Sequence, residues 1–87
     1  MKELTMRYLG KDDWNRHTYA DNNDRIWKFT DLKPREMCEK YDRLNAAYGF
    51  YGEPDCHIRE DIKVNYIDVS EEERHAIKMR IMEKYGC

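Results

Sequence analysis

Seven side chains in the first third of the chain could do binding chemistry: Arg7, Trp14, Arg16, His17, Tyr19, Arg25 and Trp27. They put cationic and aromatic groups on segments that read as neighbouring strands. Arginine carries a fork of donors that fits carboxylates and phosphates. Aromatic rings add contact area at low entropic cost and stack on planar groups. Such a surface can clamp a nucleotide or anchor a protein partner. The competing account is structural: Trp and Tyr on strands commonly fill cores, and arginines alternating with them commonly face water. Strand residues alternate between faces, so some of these groups point outward whichever face is core. On that ground Arg7, Trp14, Arg16, Tyr19 and Arg25, with Tyr51 as a further aromatic anchor, form the expected binding set.

Other chemistry has less support. His17, His57 and His75 are far apart. Asp55-Cys56-His57 is the one local cluster, and it lacks the paired ligand spacing of a zinc site. Ser70 is the only serine, and no Gly-x-Ser-x-Gly surrounds it. The four glycines compose neither a dinucleotide fingerprint nor a Walker loop. Carboxylates abound, but abundance on a charged surface does not indicate a shifted pKa. The sequence therefore reads as a non-enzymatic protein that needs no metal or cofactor.

The elements that must position these residues are short. Leu4, Met6 and Tyr8 alternate with Thr5 and Arg7, the pattern of a half-buried strand. Gly10 to Asp13 is turn chemistry, and Trp14 to Ala20 reads as a second strand. Asp21-Asn22-Asn23-Asp24 is a strong hairpin turn, because Asn and Asp tolerate left-handed backbone and bond their own main chain. Arg25 to Thr30 follows as a third strand with Trp27 and Phe29 on one face. Asp31 and Pro34 open a helix. Met37, Tyr41, Leu44 and Tyr48 then recur at spacings of four, three and four up to Gly49. That stripe either packs on the sheet or forms a dimer seam, and a sheet with one bare face favours the first. Phe50 to Asp55 reads as a loop, and Ile62, Val64 and Tyr66 as a further strand. Ser70 with Glu73 is a capping box that starts a last helix, with Ile77, Ile81 and Tyr85 as its buried stripe and Gly86 as its stop. Lys78 falls inside that stripe and is expected to carry its charge to the rim. The expected fold is α+β: one domain over 1–87, a small antiparallel sheet of three to four strands, a middle helix and a capped C-terminal helix.

Composition bounds the partners. The 87 residues suffice for one domain. Apolar residues make up 40% and charged residues 39%, while seven Tyr, two Trp and two Phe supply the area for a thin core. A thin core is commonly relieved by self-association, so a homo-oligomer is one expectation. Net charge is −2, with 16 basic and 18 acidic residues mixed along the chain. No basic stripe is present, which disfavours general nucleic-acid binding and leaves room for a local anion pocket. Met1-Lys2-Glu3-Leu4 lacks the apolar run of a signal peptide, and no segment approaches the length of a membrane span. Cys38, Cys56 and Cys87 are odd in number and read as free thiols, with Cys87 exposed. These features point to the cytoplasm and away from a membrane.

One set of spacings resembles a known family. The run Tyr8-Leu9-Gly10-x-Asp12-x-Trp14-x-Arg16, then Tyr19-x-Asp21, Trp27-Lys28 and Gly52-Glu53-Pro54-Asp55, is similar to the large polyvalent protein-associated domains of type eleven. The resemblance covers residues 3 to 55. Domains of this family occur in phages and mobile elements of gut Firmicutes, alone or fused to very large polyproteins. The family carries no established catalytic residues, so none transfers. The resemblance implies an accessory protein acting in bacterial cytoplasm. Two modes of action follow: inhibition of a host defence component by protein binding, or an oligomeric sponge for a nucleotide immune signal.

Overall fold

The computed structural model describes residues 2–86. Six strands and two helices follow in the order β1 (Lys2–Lys11), β2 (His17–Ala20), β3 (Ile26–Lys28), α1 (Arg35–Tyr41), β4 (Asn45–Ala47), β5 (Pro54–His57), β6 (Ile62–Ile67) and α2 (Glu71–Tyr85). They form one mixed sheet in the order β5-β4-β3-β2-β1-β6. The first five strands are joined by antiparallel pairing, whereas β6 runs parallel to β1, with Leu4 beside Val64 and Met6 beside Tyr66. The fold is thus α+β, as the sequence leads one to expect, but the sheet is larger than three to four strands and is not wholly antiparallel.

The alternation along β1 decides the layering. Leu4 and Met6 enter a core with Tyr19, Trp27, Phe29, Cys38, Leu44, Ala46 and Ile58. Tyr19 is its aromatic centre, 5.2 Å from Tyr8, 5.3 Å from Tyr66 and 5.6 Å edge-on from Phe29. Such tilted pairs each add roughly 0.5–1.5 kcal/mol beyond the area they bury. Leu9, one position on from Tyr8, faces the other side of the sheet by strand alternation, and a β-bulge lies between Tyr8 and Gly10. Gly10 sits there at φ 100°, a backbone region that suits glycine. On that second face Leu9, Ala20, Ile26, Ala47 and Phe50 receive Ile77 and Ile81 of α2.

Helix α2 begins and ends on the expected signals. Glu73 N–H donates to Ser70 Oγ at 3.1 Å, three glutamates occupy the first turn, and Gly86 closes the helix in left-handed conformation at φ 77°. The Lys78 ammonium lies 4.4 Å from the centre of the Phe50 ring. An ion pair ties α2 to the β2–β3 hairpin: Arg80 donates from Nε and Nη2 to the two oxygens of Asp24, which also accepts from Arg7 Nη2.

The middle of the chain departs from expectation. The helix spans Arg35–Tyr41 and stops where Asp42 turns extended. Its buried side chain is Cys38, while Met37 and Tyr41 face solvent, so the stripe does not pack on the sheet. Leu44 is core, but from the approach to β4, and Tyr48 meets Tyr85 at 4.9 Å instead. Residues 54–57, expected in or beside a loop, form edge strand β5. Cys38 and Cys56 are free thiols, one buried and one exposed; Cys87 lies outside the described residues.

Candidate functional site

Asp12 is the centre of a buried, closely bonded polar cluster. Its Oδ1 accepts the backbone N–H groups of Trp14 and Arg16, each at 2.9 Å. Its Oδ2 accepts Arg16 Nε at 2.9 Å and Lys28 Nζ at 2.7 Å. Lys28 and Asp12 have no side-chain exposure at all. Burial alone would raise the Asp12 carboxyl. The bonds from Lys28 and Arg16 outweigh it and hold the carboxyl below its ordinary value. Burial lowers the Lys28 ammonium, and Asp12 reverses only part of that shift.

This cluster shapes the β1–β2 turn. Asp12 N–H donates to Arg16 O at 3.0 Å and Asn15 N–H to Asp12 O at 3.1 Å, while Asn15 adopts a left-handed φ of 62°. The turn is therefore closed by two backbone bonds and two bonds into one buried carboxylate. Trp14 rides on it with 64% of its surface exposed. Beneath lies the Arg16 guanidinium, 5.9 Å from the indole. Arg16 also donates from Nη1 to Glu53 at 3.1 Å, linking the turn to the loop before β5, and its Nη2 is buried without a hydrogen-bond partner in the structure.

A second carboxylate closes the opposite hairpin. Asp21 Oδ1 accepts the N–H groups of Asn23 and Arg25, and Oδ2 accepts Trp27 Nε1 at 2.9 Å. Several residues singled out in the sequence thus have structural jobs. Asp12, Arg16, Lys28 and Glu53 form one network, and Asp21 with Trp27 forms another.

The expected binding residues separate accordingly. Trp14 is presented to solvent and Tyr51 is 42% exposed, packed edge-on against Phe50 at 4.8 Å. Arg16 sits behind Trp14 as its support. Arg7 is committed to Asp24 and to the Asp21 carbonyl. Arg25 lies at the other end of the sheet, 5.3 Å over the Trp27 ring. Tyr19 requires a correction: it is fully buried and donates to Glu39 Oε2 at 2.6 Å, so it is core and not a contact residue. Burial and that bond push its phenol far above the ordinary value. Lys28 was not among the candidates, since a strand lysine signals nothing by itself.

His17 is equally committed. Its Nε2 lies 2.9 Å from the Lys33 carbonyl, which can only accept, so Nε2 donates there, and its Nδ1 is hydrogen-bonded to Tyr8 Oη at 3.0 Å. Among the described residues no group of three or more His, Cys, Asp or Glu is arranged to hold a metal ion. No helix among them is long and apolar enough to cross a membrane. Comparison of the chain with protein-family models, curated proteins and solved structures finds no match.

Proposed function

We propose that this domain is a non-enzymatic accessory binding protein of a phage or mobile element. In this reading it acts in the bacterial cytoplasm by docking on a protein component of the host, a defence component in the first instance. The observation that carries the reading is Trp14, a large exposed aromatic on a turn bonded into a buried carboxylate. Interface hot spots are enriched in Trp and Arg, and a contact residue fixed in advance loses less entropy on binding. A buried ion pair adds little net stability compared with a well-packed apolar pair. The role of Asp12 with Lys28 is better read as the geometry the pair imposes on the turn. The perturbed groups Asp12, Lys28 and Tyr19 are all spent on one another or on the core, which favours binding over catalysis. The origin rests on the resemblance of residues 3 to 55.

Affinity capture from a bacterial lysate tests the reading with three immobilised proteins: wild type, Trp14→Ala and Arg59→Ala. Circular dichroism verifies that each is folded. The expected result is a specific protein held by wild type and Arg59→Ala and lost from Trp14→Ala. If Trp14→Ala retains the same proteins as wild type, the Trp14 surface is not the docking site.

A further inference from the structure

At the end of the sheet opposite Trp14, a cleft of about 470 Å³ opens beside the start of β1 and the β2–β3 hairpin. That volume falls within the range of small-molecule sites. Its walls carry Lys2, Arg25 and Arg59, with His57 from edge strand β5, around an apolar strip from Leu4 and Ile62. The charge balance is one-sided. Asp21 is the one carboxylate in the lining, and both its oxygens already accept N–H donors from the hairpin and Trp27. Of the three cations, Arg59 pairs with exposed Asp61 at 2.8 Å. Among the described residues, Lys2 and Arg25 have no carboxylate within ion-pair distance.

Arg25 is placed rather than loose. Its backbone N–H is held by Asp21, and its guanidinium lies over the buried Trp27 ring. No ion pair occupies the Arg25 guanidinium among the described residues, and its fork of donors suits a contact to phosphate oxygens. Three cationic residues in the lining of one cleft, in a chain of net charge −2, make a local positive site. Half-buried Ile62 gives the non-phosphate part of a ligand an apolar contact, with Leu4 behind it in the core.

We infer that this cleft binds a small molecule carrying two or more phosphates, of the nucleoside polyphosphate class. The cations from β1, the hairpin and the β5–β6 connection hold the phosphates, and Ile62 contacts the remainder. The site is independent of Trp14, because it stands on a different cleft at the other end of the strands.

Isothermal titration with three probes tests it: ATP, inorganic triphosphate and adenosine. ATP and triphosphate should bind saturably, more weakly as salt is raised, while adenosine should not bind. Removing one charge-assisted contact by Arg25→Ala should weaken ATP by about tenfold or more. Arg25→Lys should recover part of the loss, and Trp14→Ala should bind ATP like wild type. Arg25 is exposed and its structural bond comes from the backbone, so Arg25→Ala should fold. Absence of saturable binding by both phosphate probes, adenosine binding as tightly as ATP, or an Arg25→Ala affinity equal to wild type would each overturn the inference.

Discussion

Asp12→Asn isolates the buried cluster, because it removes one charge and almost no volume. In the wild type Lys28 Nζ donates to Asp12 alone, with no side-chain exposure. The substitution leaves an ammonium buried without a counter-charge, which typically costs about 3–5 kcal/mol. Lys28 can limit the loss by giving up its proton. Neutralising a lysine of pKa about 10.4 at pH 7 means a shift of about 3.4 units, or about 4.6 kcal/mol, and this is the ceiling. The single Asn oxygen can still accept the Trp14 and Arg16 N–H groups of the turn, which sets the expected value near the lower end, about 3 kcal/mol. A domain of this length has roughly 4–13 kcal/mol in total, so the loss is a large fraction of its stability. Adding Lys28→Met removes the stranded charge, and the double variant should recover at least about 1 kcal/mol. Urea denaturation followed by tryptophan fluorescence measures all three differences. A cost for Asp12→Asn below about 1 kcal/mol, or a double variant no more stable than the single, would refute the burial argument.

Three further outcomes follow from the geometry. Bonds from Arg80 chiefly, and from Arg7, hold Asp24 below its ordinary value in the folded state, so its contribution is present above the unfolded carboxylate range and is lost as pH falls through the lower folded value. Urea midpoints of wild type and Asp24→Asn should therefore differ at pH 7 and converge below about pH 4; a constant gap would contradict the assignment. Burial pushes the Cys38 thiol up to about 11, so iodoacetamide at neutral pH should label Cys56 and spare Cys38 in the native protein, as read by peptide mass spectrometry. Ser70→Ala removes the acceptor for Glu73 N–H and should lower stability by about 1 kcal/mol, with no change in the denaturation midpoint meaning that the cap is not formed.

Signals that are local in the chain were legible. The alternation of Leu4, Met6 and Tyr8, the Asp21–Asp24 turn and the Ser70 cap each rest on residues a few positions apart, and each marks a feature of the structure. What escaped depends on distance. Strand β4 is Asn45-Ala46-Ala47, three small residues with no strand pattern, and it exists because β3 and β5 pair with it on either side. The helical spacing from Met37 to Tyr48 carried the expected helix across this strand, although the chain turns extended at Asp42. The parallel pairing of β1 with β6 joins residues about sixty positions apart. The candidate site was half visible. Trp14 and Arg16 stood out by type, but Lys28 lies 16 positions from Asp12 and looks like any solvated strand lysine until the fold buries it.

Trp14 is an exposed side chain on a turn whose rigidity the bonds into Asp12 should impose. Amide hydrogen exchange by NMR reads that directly, because the Trp14 and Arg16 N–H groups both donate to Asp12 Oδ1. If the turn is rigid, both amides exchange at least roughly a hundredfold more slowly than in an unstructured peptide, although the Trp14 side chain is in water, and Asp12→Ala abolishes the protection while the β2–β3 amides keep theirs. Exchange of Trp14 and Arg16 at the unstructured rate in the wild type would show a mobile turn and contradict the account.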